Sequence, residues 1–153
     1  MKSKYISLLA ILLLFSCKTK QYNTKNSNLP IIGTWELISA TTTQKDSTFS
    51  TFNPKYKMIK IINPDHFAFF QHDLSMGKEA DSKFSAGAGT YTLVKDTYTE
   101  NLQYFIYREW ENNTFEFKIS IKNDTLTQQG VEKVEKLGVD RIITERYKRI
   151  KVK

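Results

Sequence analysis

From residue 33 onward the apolar and polar positions of the chain alternate with a period of two. The clearest run sets Phe115, Phe117, Ile119 and Ile121 against Glu116, Lys118, Ser120 and Lys122, the pattern of a strand with one buried face. Asn123-Asp124 then supplies turn chemistry and Thr125 to Gln129 returns, which makes a hairpin. Thr90 to Val94, the Lys95-Asp96 turn and Thr97 to Ile106 make a second. Lys55 to Ile62, the breaker Asn63-Pro64-Asp65 and His66 to His72 make a third. With a first strand over Gly33 to Thr42 and a last over Arg141 to Ile150, eight strands are expected, neighbours in sequence joined by turns. Eight antiparallel strands linked up-and-down close into a barrel wide enough for side chains or one small ligand, with the first strand pairing the last. The expected fold is therefore all-β, a single up-and-down barrel over residues 33–150. Asp73 to Ala86 reads as one long loop with scattered charge, a candidate lid. Val131, Val134 and Leu137 stand at helical spacing and allow one short helix before the last strand.

The first 32 residues follow neither period. Met1-Lys2-Ser3-Lys4 is a basic start, and Tyr5 to Phe15 is an almost unbroken apolar run before Ser16-Cys17, the layout of a secretory signal. A permanent span needs about 20 apolar residues, and Lys18 and Lys20 end this run too early. Leu14-Phe15-Ser16-Cys17 resembles the lipobox of bacterial lipoproteins, although Phe15 is bulkier than the usual residue there. The resemblance implies cleavage after residue 16 and acylation of Cys17, whose chains would anchor the protein in a lipid bilayer. The polar stretch 17–32 is expected to be a disordered tether, with a reach of roughly 20 Å as a flexible coil. Basic rather than acidic residues follow the cysteine, which favours an envelope anchor facing the periplasm, in the outer membrane.

Composition narrows the partners. The 153 residues suit one domain. The net charge of +7 hints at nucleic acid, but five lysines and no acid fall in residues 1–32, so the body carries 18 bases against 16 acids. Four of those bases crowd the last six positions, read as a frayed tail rather than the clustered stripe that phosphate tracking needs. No nucleic-acid partner is expected. Cys17 is the only cysteine, which excludes an intramolecular disulfide and a cysteine-based metal cluster.

The body also carries a family resemblance. Gly33-Thr34-Trp35-Glu36-Leu37 is similar to the G-x-W signature of lipocalins, and His66-Phe67-Ala68, Gly89-Thr90-Tyr91-Thr92-Leu93, Asp124-Thr125-Leu126 and Tyr147-Lys148-Arg149 follow in order. The set resembles the lipocalin-like lipoproteins and secreted proteins common in Bacteroidetes, over most of residues 33–150. The resemblance implies a calycin-type barrel whose base is plugged by Trp35 under an arginine of the last strand, Arg149 or Arg146. It brings no agreed ligand. Related fatty-acid carriers grip a carboxylate with an R-x-Y pair; Glu145 and Tyr147 occupy the corresponding positions here, and Glu145 would repel that carboxylate.

Catalytic signatures are scarce. Gly87-Ala88-Gly89 lacks the third glycine and helix of a nucleotide loop and marks a bulge or barrel corner instead. His66 and His72 share a face, yet six residues separate them by roughly 20 Å, too far to share a metal. No cofactor or metal is expected, and no enzymatic activity. The site expectation rests on Thr97 to Ile106, where Tyr98, Glu100, Leu102 and Tyr104 form one face and Thr97, Thr99, Asn101 and Gln103 the other. Glu100 is then core-facing and must be paired, protonated or beside a wet cavity. With Tyr91 from the neighbouring strand and His66 and Phe70 from the third hairpin, Glu100 and Tyr104 are expected to line one pocket for a small, partly apolar ligand. Two other readings stay open: a filled structural or protein-interaction barrel, in which Glu100 stiffens the core, and a hydrolase-type enzyme using His66 and Glu100.

Overall fold

A computed structural model describes residues 30–80 and 82–151; the expected signal, Cys17 and nearly all of the tether lie outside them. Nine strands form one sheet: β1 (Gly33–Gln44), β2 (Ser47–Ser50), β3 (Tyr56–Ile62), β4 (His66–Asp73), β5 (Phe84–Val94), β6 (Thr97–Phe105), β7 (Thr114–Lys122), β8 (Thr125–Val134) and β9 (Val139–Arg149). From β3 to β9 each pairs antiparallel with the next, β1 pairs β3, and β1 also pairs β9, closing an eight-stranded barrel. The fold is the expected all-β barrel. The ninth strand, β2, is an exposed ribbon folded back on the end of β1. Its four residues Ser-Thr-Phe-Ser carry no buried face, which is why the period of two did not reveal it.

The two ends of the barrel are built differently. At the base, β3–β4, β5–β6 and β7–β8 are joined by short turns at 63–65, 95–96 and 123–124. Asn123 and Asp124 both have positive φ (50° and 56°), the backbone of a primed turn that matches the strand twist. At the other end the connections are longer: the β2 ribbon, residues 74–83, a 3-10 turn over Arg108–Trp110 and another over Glu135–Leu137. The expected long loop is thus shorter than Asp73–Ala86, because β4 extends through Asp73 and β5 starts at Phe84. The expected helix is a correction. Val131 and Val134 belong to β8, and only the three residues after them turn, because ladder bonds to β9 run from Val131↔Ile142 to Val134↔Val139.

The core sits toward the base. Trp35, Tyr98 and Tyr147 are fully buried, with Ile62, Phe67, Ile119 and Leu126 packed among them. The Trp35 indole donates to the Ile31 carbonyl at 2.8 Å. Above its ring, at 4.0 Å, lies the guanidinium of Arg149, which donates to the carbonyls of Ile32 (2.9 Å) and Pro30 (2.5 Å). The cation therefore ties the incoming chain across the base while stacking on the indole. Lys148 and Arg149 are part of β9, so the expected frayed basic tail begins later than residue 148.

Candidate functional site

Above the packed base the barrel opens into a cavity of about 750 Å³. Its floor is polar. Met58-Lys60-Ile62 of β3 point inward, and Lys60 is buried among the rings of Phe67, Tyr98 and Tyr147, each with its centroid 5.5–5.7 Å from the ammonium. Lys60 donates to Glu100 Oε1 at 2.6 Å and to Gln128 Oε1 at 3.0 Å. Gln128 donates in turn to Glu145 Oε2 at 3.5 Å, and the Tyr147 hydroxyl donates to the same oxygen at 2.6 Å. Four strands, β3, β6, β8 and β9, thus meet in one network across the lumen. The ammonium brings the charge that a buried Glu100 requires, and the aromatic rings contribute to holding it.

Burial sets the protonation of this floor. Tyr147 and Tyr98 are pushed well up, first by burial and then by the negative charge of Glu145 and Glu100 respectively. Both phenols stay neutral, the Tyr98 hydroxyl lying buried beside Glu100. Glu145 is half-buried and lines the cavity. Burial raises its carboxyl, against the lowering effect of Lys60 and of the Tyr147 hydrogen bond.

The walls are aromatic. Phe69, Phe105, Trp110 and Phe115 line the cavity, with Phe105 edge-on to Phe69 (5.6 Å) and to Trp110 (6.4 Å). Near the mouth, Glu132 accepts from Arg141 Nε at 2.7 Å and Nη2 at 2.6 Å, and that guanidinium lies 5.6 Å from the Trp110 ring centre. Aromatic walls with a few convergent polar groups are the usual make-up of a small-molecule site.

Of the five expected pocket residues, Glu100 alone lines this cavity. Tyr91 faces inward but lies below the floor, packed on Tyr98 at 5.0 Å with its hydroxyl on the Asn63 carbonyl. His66 and Phe70 are corrections. Phe67 and Phe69 pair with Ile62 and Lys60 and point inward with them, so His66 and Phe70 occupy the outer face, where His66 bonds the exposed Asp65. Within His66–His72 both faces carry apolar side chains, Phe67 and Phe69 on one and Ala68 and Phe70 on the other, so the alternation did not specify which face is buried. Tyr104 is the third correction. Ala88 pairs Tyr104 but Gly89 pairs Leu102, which leaves Gln103 as an extra residue in β6. That bulge inverts the alternation, turns Tyr104 outward at 67% exposure and brings Phe105 into the lumen. Gly89 permits the close approach, because a Cβ there would run into the Asn101 carbonyl. Glu145 and Tyr147 stand where the resemblance set the R-x-Y pair, whereas Lys60 and Gln128 were not anticipated; the signal for Lys60 was the cation that an inward Glu100 demands.

Fold and site together define a closed antiparallel barrel with one sealed end and a solvent-reachable lumen, compatible with a lipocalin-like fold. The chain belongs to the family described as Domain of unknown function (DUF4488), whose model matches residues 30–153. Comparison with curated proteins gave no significant match.

Proposed function

We propose that the protein is a lipocalin-like envelope lipoprotein that binds a small, partly apolar ligand in its barrel lumen. The observation that carries this reading is the cavity of about 750 Å³ itself, closed at the base by Trp35 and Arg149 and lined by aromatic rings over a polar floor. A barrel serving only as a rigid scaffold gains from filling such a space with side chains, since voids forfeit packing energy. The reading is of a carrier rather than an enzyme: His66 lies on the outer wall and Glu100 inside, so the acid/base pair a hydrolase would use shares no site.

Anchoring is the second half of the proposal and rests on the lipobox-like Leu14-Phe15-Ser16-Cys17. The described chain enters at the base, through Pro30 and Ile31, so a lipid attached through Cys17 would tether the sealed end. The mouth would then be the end farthest from attachment, in the periplasm if the outer membrane holds the anchor. Native mass spectrometry of protein purified from its source tests the carrier reading: a mass excess that is lost on denaturation is expected, and protein at its bare mass would sink it. A Cys17→Ala variant is expected to leave the detergent phase; unchanged partitioning would remove the anchor.

The competing reading, a barrel that works by binding protein on its outer wall, is favoured by one feature. Register aligns Ile61 with Ala68, Ala68 with Ala88 and Ala88 with Tyr104, next to Phe70 paired with Ala86, an apolar stripe across four strands with Ile61, Phe70 and Tyr104 exposed.

A further inference from the structure

The donors and acceptors that line the lumen are unequally committed. Lys60, at 3% side-chain exposure, spends its ammonium on Glu100 and Gln128 and is enclosed by three rings. Arg141 spends Nε and Nη2 on Glu132. The remaining lining cation, Lys83, is exposed at the rim. On the acceptor side, both hydrogen bonds to Glu145 fall on Oε2, and no described residue bonds Oε1. Glu132 likewise receives both of its bonds on one oxygen. Below the rim the lumen therefore holds three carboxylates, Glu100, Glu145 and, near the mouth, Glu132, against two cations, Lys60 and Arg141. Each cation is paired with one of them, which leaves Glu145 without a cation of its own.

A ligand entering this space finds carboxylate oxygens beside cations that are already paired at depth. Below the rim lysine, a carboxylate or phosphate would face Glu100, Glu132 and Glu145, with Lys60 and Arg141 already paired. From this we infer that the ligand carries a protonated amine seated on Glu145, with an apolar body against Phe69, Phe105 and Trp110. The inference rests on the lumen-binding reading and assigns its chemical class. Facing Glu145 are Lys60 from β3, Glu100 from β6, Gln128 and Glu132 from β8 and Tyr147 from its own strand. Lys60 is neutralised by Glu100, and the Tyr147 phenol is held neutral, so the charge left to answer an amine is that of Glu145. Burial raises the Glu145 carboxyl; an incoming ammonium would lower it again, and acid would compete with the amine for the carboxylate.

The test uses three probes with one tail, octylamine, octanol and octanoate, titrated into the full chain at about pH 8, where the amine is charged. Trp110 in the wall gives a fluorescence signal and calorimetry an independent one. Octylamine is expected to bind about tenfold or more tightly than octanol, and octanoate weakest. Glu145→Gln should bring the amine down to the affinity of octanol and leave octanol unchanged. Should that variant fail to fold by circular dichroism, the wild type decides: amine affinity should fall as the pH is lowered from about 8 into the ordinary glutamate range while octanol affinity holds. Octanoate binding as tightly as octylamine overturns the assignment, as does an amine preference that survives both Glu145→Gln and acid. Octanol binding without amine preference leaves the carrier reading standing and removes the amine; no binding of any probe removes both.

Discussion

Each end of the barrel sets an arginine from β9 over a tryptophan, and the two pairs do opposite things. At the base, Arg149 sits 4.0 Å above Trp35, donates from Nη1 and Nη2 to the backbone of the incoming chain and sets Nε 3.5 Å from Asp124 outside the lumen, and Trp35 is wholly buried. At the mouth, Arg141 lies 5.6 Å from Trp110 and spends its donors on Glu132, a cavity-lining carboxylate, and Trp110 is half-buried on a 3-10 turn. The same two side chains seal when the partners are backbone carbonyls of a tight end. They form a wall when the connections are long and the partner is a lumen side chain. Closure is thus a property of what surrounds the pair.

Truncating the two indoles breaks the comparison most directly. Trp35→Ala should cost about 3–5 kcal/mol, since it empties the packed base and strips Arg149 of its support. Trp110→Ala should cost about 1 kcal/mol, the ordinary range of a point substitution, because its ring already borders open space. Denaturant unfolding of both variants checks this, and equal losses would mean that the mouth is as tightly packed as the base.

The boundary between the two regimes is Lys60. Lys60→Met leaves Glu100 without its cation, a change that costs about 3–5 kcal/mol for a fully buried pair. Here the cost should fall near the lower bound, about 3 kcal/mol, because Glu100 borders the cavity and water can reach it. The double variant Lys60→Met/Glu100→Gln should recover most of that loss in a double-mutant cycle. Additive losses would show that the two side chains stabilise the barrel independently.

How far this asymmetry was legible in the sequence follows from the same residues. Trp35 and a C-terminal arginine belong to a signature with fixed places in the chain, and β7 alternates strictly, so the barrel, its closure and the inward Glu100 could be read. The lumen could not, for two reasons. A bulge at Gln103 inverts the phase of β6; Gly87-Ala88-Gly89 read as a bulge or barrel corner, but nothing in the residue types said that the extra position falls in the partner strand. In β3 and β4 both faces carry large apolar side chains, Ile59 and Ile61 against Met58 and Ile62, Phe70 against Phe67 and Phe69. There the register with neighbouring strands selects the face. The face that Lys60 takes was therefore not specified by its strand alone.

Glu145 offers a smaller effect with a defined sign. Its carboxyl is raised by burial, so the folded state holds that proton more tightly than the unfolded one, and ionisation at neutral pH destabilises the barrel. Glu145→Gln should therefore raise the melting temperature by a few degrees above the raised value. The advantage should shrink as pH falls through that value to the ordinary glutamate range, where wild type is protonated in both states. A carboxylate that costs stability while lining a cavity fits a residue kept for what it binds. If the variant melts lower at every pH, the hydrogen bond from Tyr147 to the carboxylate outweighs the burial penalty.

The smallest effect concerns the rim. Asp73 ends β4 and accepts from the Ser75 hydroxyl and, at 3.0 Å, from the Gly77 amide, which hold its carboxyl down to about 2. Met76 and Gly77 adopt left-handed φ of 56° and 77° to bring that amide round, and Ser75 also touches Ser82 at 3.1 Å. Residues 82–84, which line the mouth, are thereby tied to the end of β4. With its folded value depressed, the stabilisation Asp73 gives this loop is complete above the ordinary aspartate range and is lost as pH falls toward about 2. Asp73 is at the surface, so global stability should scarcely change. The readouts are local: the Gly77 amide resonance should titrate with a midpoint near 2, and Asp73→Asn should make residues 74–83 more sensitive to limited proteolysis at neutral pH while the base turns stay protected. A Gly77 midpoint at the ordinary aspartate value, or cleavage unchanged by the substitution, would show that the mouth loop is held by its other contacts, such as the Lys55–Glu79 ion pair at 3.2 Å.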